Sequence, residues 1–275
     1  MTAVAVHWLD VFTDRPFTGN PLAVLPDADE LSDDQMQLIA YELGLSETTF
    51  VIGGAERVRI FTPVSELPLA GHPMVGTAHL LVALGRIGAG THVFQTGVGA
   101  TPVDVEGDWV TMTQAPLEAG AEVSAETVAA MLRIDPADIA GTPRFYTTSG
   151  IKQLFARMRD RDLLAALDPD VALIAADERI DAVMPWCEDG DELAQRFFGP
   201  RMGIVEDPAT GSAAGALAAL RVYEGGAPGS VVVRQGAEIG RPSEMRVSVG
   251  GEPGAPDPPR VSGQAVQLLE GTLRL

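Results

Sequence analysis

The chain runs Gly71-His72-Pro73-Met74-Val75-Gly76-Thr77-Ala78 straight into His79-Leu80-Leu81-Val82-Ala83-Leu84. Later it runs Asp207-Pro208-Ala209-Thr210-Gly211-Ser212-Ala213 straight into Ala214-Gly215-Ala216-Leu217-Ala218-Ala219-Leu220. Each stretch is a tight Gly/Pro turn carrying a polar side chain, followed by a helix with almost no polar face. In a soluble protein, a helix that is apolar all round is a buried helix. Its N-terminus presents unpaired backbone N–H groups and the positive end of the macrodipole, which together favour an anion. Overlaying Gly76-Thr77-Ala78 on Gly211-Ser212-Ala213 gives an offset near half the chain, as tandem duplication would. The expectation is a duplicated fold with a charged small molecule held between its halves.

Composition narrows the classes around that core. The 275 residues suffice for one large domain or two of about 130 residues each. An apolar content of 46% with 5% aromatics fits a globular protein. No apolar run reaches the roughly 18 residues of a membrane span, and the first twenty residues lack a signal-peptide pattern. A cytoplasmic protein is therefore expected, with no membrane partner. The net charge of −19, with eighteen scattered Arg and a single Lys, argues against nucleic acid and anionic lipid. One cysteine, Cys187, excludes an internal disulfide and two-thiol chemistry within one chain. Four histidines, none in His-Glu-x-x-His spacing, give no metal site.

Strands are expected at Val4 to Val11 and Leu22 to Leu25, then a helix capped by Ser32 with Gln35 in the capping-box position and Gly44 as its stop. Thr48 to Ile52 and Arg57 to Thr62 read as a hairpin around Gly53-Gly54. Further strands fall near His92 to Thr96, Trp109 to Gln114, Arg144 to Thr148, Leu154 to Met158, Ser230 to Arg234, Arg246 to Val249 and Val261 to Leu273. Helices are expected at Ala125 to Leu132, Asp160 to Leu167 and Glu188 to Gln195. Gly250 to Pro259 reads as a loop. The halves divide near Pro116 to Glu122.

Few side chains could do chemistry. Glu47, between a helix and a strand, reads either as a solvated strand end or as a carboxylate held for acid/base work. His72, between Gly71 and Pro73, is a turn histidine or a proton carrier aimed across the buried helix's N-terminus. Asp207 precedes Pro208 and a helix, so its plain reading is an N-cap with Pro at N1. Ser212 either donates back to a carbonyl or binds a carboxylate beside free N–H groups. Asn20, the only asparagine, suggests an αL turn or a specific amide contact. Gly97-Val98-Gly99 lacks the third glycine of a dinucleotide fingerprint, and Ser212 is not in a Gly-x-Ser-x-Gly elbow.

Taken together, these segments resemble the PhzF family, phenazine-biosynthesis-like proteins with the diaminopimelate epimerase fold. The resemblance is carried by Gly19-Asn20-Pro21-Leu22-Ala23-Val24, Leu45-Ser46-Glu47-Thr48-Thr49-Phe50-Val51 and Arg59-Ile60-Phe61-Thr62-Pro63. It continues in Glu66-Leu67-Pro68-Leu69-Ala70-Gly71-His72-Pro73 with Gly76-Thr77-Ala78, in Gly203 to Gly215, and in Gln235-Gly236-Ala237-Glu238-Ile239-Gly240-Arg241-Pro242-Ser243. It implies an α+β fold of two pseudo-symmetric halves, each a curved sheet wrapped around a central buried helix. On that pattern the halves are 1–117, joined by about 265–275, and 118–264, with the active site in the cleft between them.

The resemblance also implies cofactor-free proton transfer on a small anionic metabolite, in a homodimer. The family's acidic catalyst maps onto Glu47 and its supporting polar residues onto His72, Asp207 and Ser212. Gly71 and Gly211, with Gly76 at the first helix, offer backbone N–H groups, and Asn20 joins them as a binding residue. The fold's epimerase branch uses two cysteines, and neither turn here carries one. The expected activity is an isomerase that shifts hydrogen between carbons. Its alternatives are an epimerase or racemase using Glu47 and His72 instead of thiols, and a catalytically silent ligand-binding homodimer.

Overall fold

In the computed structural model, which describes residues 3–148 and 151–275, the first strand, Ala3–Val11 (β1), turns Val4 and Val6 inward. It lies antiparallel to Asn20–Leu25 (β2). The chain then crosses through helix Asp33–Leu43 (α1) to Thr48–Ile52 (β3), which is parallel to β2. The expected capping box of α1 is present, with Ser32 accepting from the Gln35 N–H and Gln35 accepting from the Ser32 N–H. Gly44 ends the helix in the left-handed conformation at φ 64°. Arg57–Phe61 (β4) pairs back on β3, and the two-residue strand Glu66–Leu67 (β5) follows. The buried helix Gly71–Ala83 (α2) leads to Gly90–Thr96 (β6), which meets β4 in parallel at Arg57 and Gln95. Gly99–Glu106 (β7) and Trp109–Thr113 (β8) complete an antiparallel meander.

These elements belong to a first unit, Met1–Thr113 with Ser262–Leu275, and the second unit is Gln114–Val261. The second unit holds Glu118–Glu122 (β9), helix Ala125–Leu132 (α3), Ile139–Thr148 (β10) and Ile151–Met158 (β11). Helices Arg161–Ala166 (α4) and Val171–Ala176 (α5) then lead to Ala182–Asp189 (β12) and Glu192–Gln195 (β13). The buried helix Gly211–Tyr223 (α6) precedes Gly229–Gln235 (β14) and Ser243–Val249 (β15), then a small hairpin, Gly251–Glu252 (β16) with Ala255–Pro256 (β17). After Arg260–Gly263 (β18), the last strand Ala265–Arg274 (β19) pairs antiparallel with β1.

The two units repeat one topology. In the first, the pairings run antiparallel, parallel, antiparallel, parallel, antiparallel through β1, β2, β3, β4, β6 and β7. The same succession runs through β10, β11, β12, β13, β14 and β15. Parallel neighbours cannot be joined by a tight turn, so every parallel step carries a helical crossover. The second crossover is α2 in one unit and α6 in the other, and each is buried around most of its circumference.

That correspondence corrects the register read from sequence. Both helices have thirteen residues and begin at Gly71 and Gly211, so His72 corresponds to Ser212 and Gly76 falls inside α2. The similar triplets Gly76-Thr77-Ala78 and Gly211-Ser212-Ala213 are therefore not equivalent positions. Pro73 sits at the third helical position, where a missing N–H costs no intrahelical bond, so α2 extends back through it. Gly76 is a packing glycine, because a Cβ there would lie 2.5 Å from Leu22 Cδ2 and 2.7 Å from Val11 Cγ2.

Glu188 to Gln195 is not helical. It forms the hairpin of β12 and β13, closed by Gly190-Asp191 with Gly190 at φ 63°. Sequence reading also passed over β7 and over α5, which Asp170 caps. Among the described residues, no helix is long and apolar enough to cross a membrane.

Candidate active site

In the first unit the site is built at the end of the sheet where β2 and β3 begin. Their parallel register, Ala23 beside Thr48, sets Glu47 immediately before β3 near the start of β2. Asn20 opens β2 opposite Val11 and is buried. The αL turn is supplied by Gly19 instead, at φ 67°, where a Cβ would lie 2.3 Å from the Val11 carbonyl oxygen. The turn reading of Asn20 is thus corrected: it is a buried strand residue.

Helix α2 is seated by a hydroxyl pair, Thr49 Oγ1 and Thr77 Oγ1, 2.8 Å apart and buried between β3 and the second turn. One turn earlier, His72 is brought to Glu47, with Nε2 3.5 Å from Oε2. The Glu47 side chain is only 13% exposed, and Oε2 has no hydrogen-bond partner among the described residues. Burial penalises its charged form and pushes its pKa up from 4.5 to about 7, with the Ser46 hydroxyl pulling partly the other way. A carboxyl raised in this way holds its proton more readily than a solvated one. Ala70, extended at the start of α2, offers no side-chain cap to the helix.

The second unit builds its site before α6. Asp207 is not the N-cap of that helix. The cap residue is Thr210, and the intervening turn is held by side chains rather than by helical bonds. The Thr210 hydroxyl donates to Asp207 Oδ2 at 2.5 Å. The Gln235 amide accepts from the Thr210 N–H at 3.0 Å and donates to the Asp207 carbonyl at 2.7 Å. Gln195 donates to the Gln235 Oε1 at 2.6 Å, and the Ser243 hydroxyl is shared between the carbonyls of Pro208 and Gln235. Backbone groups that would have started a helix at Pro208 are therefore paired elsewhere, which explains the displaced start.

Gly236 makes this possible. It stands at φ 80°, and a Cβ would lie 2.4 Å from both the Pro208 and Arg241 carbonyl oxygens. Beside the turn, Glu206 is clamped by Arg196 through two bonds of 2.8 Å. Gly211 and Ser212 open α6 without a side-chain cap, and the Gly211 carbonyl accepts from Gln114 at 2.8 Å.

Sequence reasoning missed Thr210, Gln195, Gln235 and Ser243. Gln235 and Ser243 stood in a stretch quoted for its resemblance without a role, Thr210 in the stretch Gly203 to Gly215, and Gln195 at the end of a segment read as helical. Cys187 is buried in β12, where burial pushes its thiol up to about 11. Among the described residues, no three His, Cys, Asp or Glu side chains converge as a metal site requires.

A model of phenazine biosynthesis-like proteins, PhzC-PhzF, matches residues 9–271. The chain is 38% identical over 223 residues to the trans-2,3-dihydro-3-hydroxyanthranilate isomerase of Pseudomonas aeruginosa, covering 76% of this chain and 77% of that protein. Over its whole length it resembles a Bacillus anthracis phenazine biosynthesis protein of the PhzF family, with a TM-score of 0.89, 26% identity and complete coverage of both chains. A predicted epimerase from Pseudomonas aeruginosa matches with a TM-score of 0.80 and 32% identity, covering 98% of this chain and 99% of that one.

Proposed function

We propose, for a chain that belongs to the PhzC-PhzF family of phenazine biosynthesis-like proteins and is one of its isomerases, that Glu47 moves a proton between carbons of a small unsaturated carboxylic acid. The observation that carries this reading is the Glu47 carboxyl itself, raised to about 7 and 3.5 Å from a buried histidine. The step needs no redox partner and, in this reading, no cofactor. Glu47 takes a proton from one carbon, the double bond shifts along the conjugated system, and the same proton or one from solvent is returned to another carbon. His72 and Asp207 are the accompanying polar groups. The uncapped helix starts at Gly71 and at Gly211-Ser212 are suited to the substrate carboxylate and to charge developing along the system. Asn20 contributes its amide as a further polar contact.

The relative's name makes trans-2,3-dihydro-3-hydroxyanthranilate the first compound to test. Turnover in deuterated water should place deuterium at one carbon of the product. Glu47→Gln should lose about 10²- to 10⁴-fold in turnover, the usual contribution of general acid/base catalysis, while ligand binding survives. Full activity in that variant ends the proton-transfer reading and leaves a ligand-binding protein. The structural match to a predicted epimerase favours a second reading, a thiol-independent epimerase. It would announce itself as loss of optical rotation without a new absorbance band. The working form in either reading is a homodimer, for which light scattering should return twice the chain mass.

A further inference from the structure

We infer that the second unit carries a further binding site at the C-terminal end of α6, where Arg221 and Asp191 hold a short aliphatic α-amino acid as its zwitterion. The site is a cavity of about 300 Å³ that lies wholly within that unit. Its size is at the lower end of small-molecule sites, roughly 300–1,000 Å³. It is separate from the groups assigned to proton transfer. Asp207 precedes α6 and Ser212 opens it, whereas Ala218, Arg221 and Val222 line the cavity from its last turns. At about 1.5 Å of rise per residue, Ser212 and Arg221 are roughly 13 Å apart along the helix axis.

The charged side chains lining the cavity are Glu188, Asp191, Glu192 and Arg221. Glu188 is paired with Arg157 at 3.0 Å, and Glu192 accepts two bonds of 2.8 Å from Arg234. Asp191 and Arg221 are uncommitted: among the described residues, neither side chain makes a hydrogen bond or an ion pair. In a chain with 38 acidic and 19 basic residues, an arginine left without an acid needs a reason. The ordinary reason in a last helical turn is to cap carbonyls, and here the backbone does that. The carbonyls of Leu220, Arg221, Val222 and Tyr223 accept from the N–H groups of Glu224, Gly226, Gly225 and Gly254, at 2.9, 2.7, 3.1 and 3.1 Å. The macrodipole favours a cation at this end but leaves the guanidinium donors unpaired. Arg221 is thus held half-buried in the cavity wall with its fork unused.

Two uncommitted charges of opposite sign in one small cavity select a ligand that carries both. The planar fork of Arg221 matches a carboxylate through two parallel N–H···O bonds. Asp191, in the Gly190-Asp191 turn between β12 and β13, and Ser230 on β14 supply acceptors for an ammonium. Ala218 and Val222 on α6 and Val249 on β15, all buried, form the apolar part of the wall and suit a short aliphatic side chain. A purely anionic ligand would meet three carboxylates, and a purely cationic one would meet Arg221. Each alone is opposed by a charge it cannot balance.

The test uses the full chain with L-alanine and L-valine as probes, read by titration calorimetry and by the rise in thermal midpoint. Both should bind, one molecule per chain. Relative to valine, 3-methylbutanoate lacks the ammonium and isobutylamine lacks the carboxylate, and each should bind at least about tenfold more weakly. Arg221→Gln should weaken valine binding about 10- to 100-fold, as loss of a charge-assisted carboxylate pair does, and Asp191→Asn about tenfold. Arg221→Lys keeps the charge without the fork and should recover part of the affinity. Neither Arg221 nor Asp191 is fully buried, so the unliganded variants should melt as wild type does. Glu47→Gln should bind valine as wild type does, which separates this site from the proton-transfer groups.

Failure of both alanine and valine to bind in the millimolar range overturns the site. Equal affinity for valine and 3-methylbutanoate overturns the zwitterion, because it leaves Asp191 without a role. Equal affinity for isobutylamine overturns it from the other side, because it leaves Arg221 without one. Valine affinity unchanged in both Arg221→Gln and Asp191→Asn shows that the amino acid binds elsewhere and overturns the placement. Valine binding lost in Glu47→Gln also overturns the placement, and the proton-transfer reading is then still decided by turnover of that variant.

Discussion

Glu47→Gln should make the protein more stable as it makes it less active, and the gain should depend on pH. Burial holds the Glu47 carboxyl at about 7 against an ordinary 4.5. Between those values the folded state binds more protons than the unfolded state, so this group's contribution to stability falls as pH rises through the window. Below about pH 4.5 both states are protonated and the group is neutral in the balance; above about pH 7 the whole penalty applies. At about 1.4 kcal/mol per unit of displacement, that penalty is about 3 kcal/mol.

The glutamine amide that replaces the carboxyl carries no titratable proton. The variant should therefore exceed wild type by up to about 3 kcal/mol near pH 8 and by about 1 kcal/mol or less near pH 5. Urea unfolding followed by tryptophan fluorescence at the two pH values reads the difference directly. A stability difference of equal size at both would refute a raised carboxyl at this position, and with it the physical basis for Glu47 as a proton carrier.

Three further outcomes follow from the packing around the site. Gly236→Ala should cost several kcal/mol, because its φ of 80° and two carbonyl oxygens at 2.4 Å leave no room for a Cβ; thermal unfolding measures the loss, and a wild-type midpoint would contradict the geometry. Gly76→Ala should cost about 1–3 kcal/mol by overpacking Val11 and Leu22, read by the same melt. Iodoacetamide should leave turnover unchanged, since Cys187 is buried and its thiol is pushed up to about 11; inactivation absent in Cys187→Ser would show that the thiol takes part.

Local signals carried far in this chain where a short segment decided its own structure. Ser32 and Gln35 announced the start of α1 and Gly44 its end, because a capping box and a left-handed stop need only neighbours within one turn. Helix α3 was expected at Ala125 to Leu132 and lies there, with Ser124 as its N-cap. The buried helices were visible as apolar runs behind Gly/Pro turns, and Glu47 and His72 stood out as polar residues beside them.

What the tertiary structure alone decided were relations between distant segments. Glu188 to Gln195 has helical-looking composition, yet pairing across Gly190-Asp191 made it a hairpin. Asp207 has the local signature of an N-cap, yet it lost that place because Gln235, 28 residues on and itself held by Gln195, captured the backbone and hydroxyl groups of the turn. Asn20 looked like a turn residue, but the steric demand for a positive φ fell on Gly19, which alone fits against Val11. The pKa of Glu47 belongs to the same class. No residue beside it in sequence removes it from water; burial does, and burial is a property of where β2, β3 and α2 come together rather than of Leu45-Ser46-Glu47.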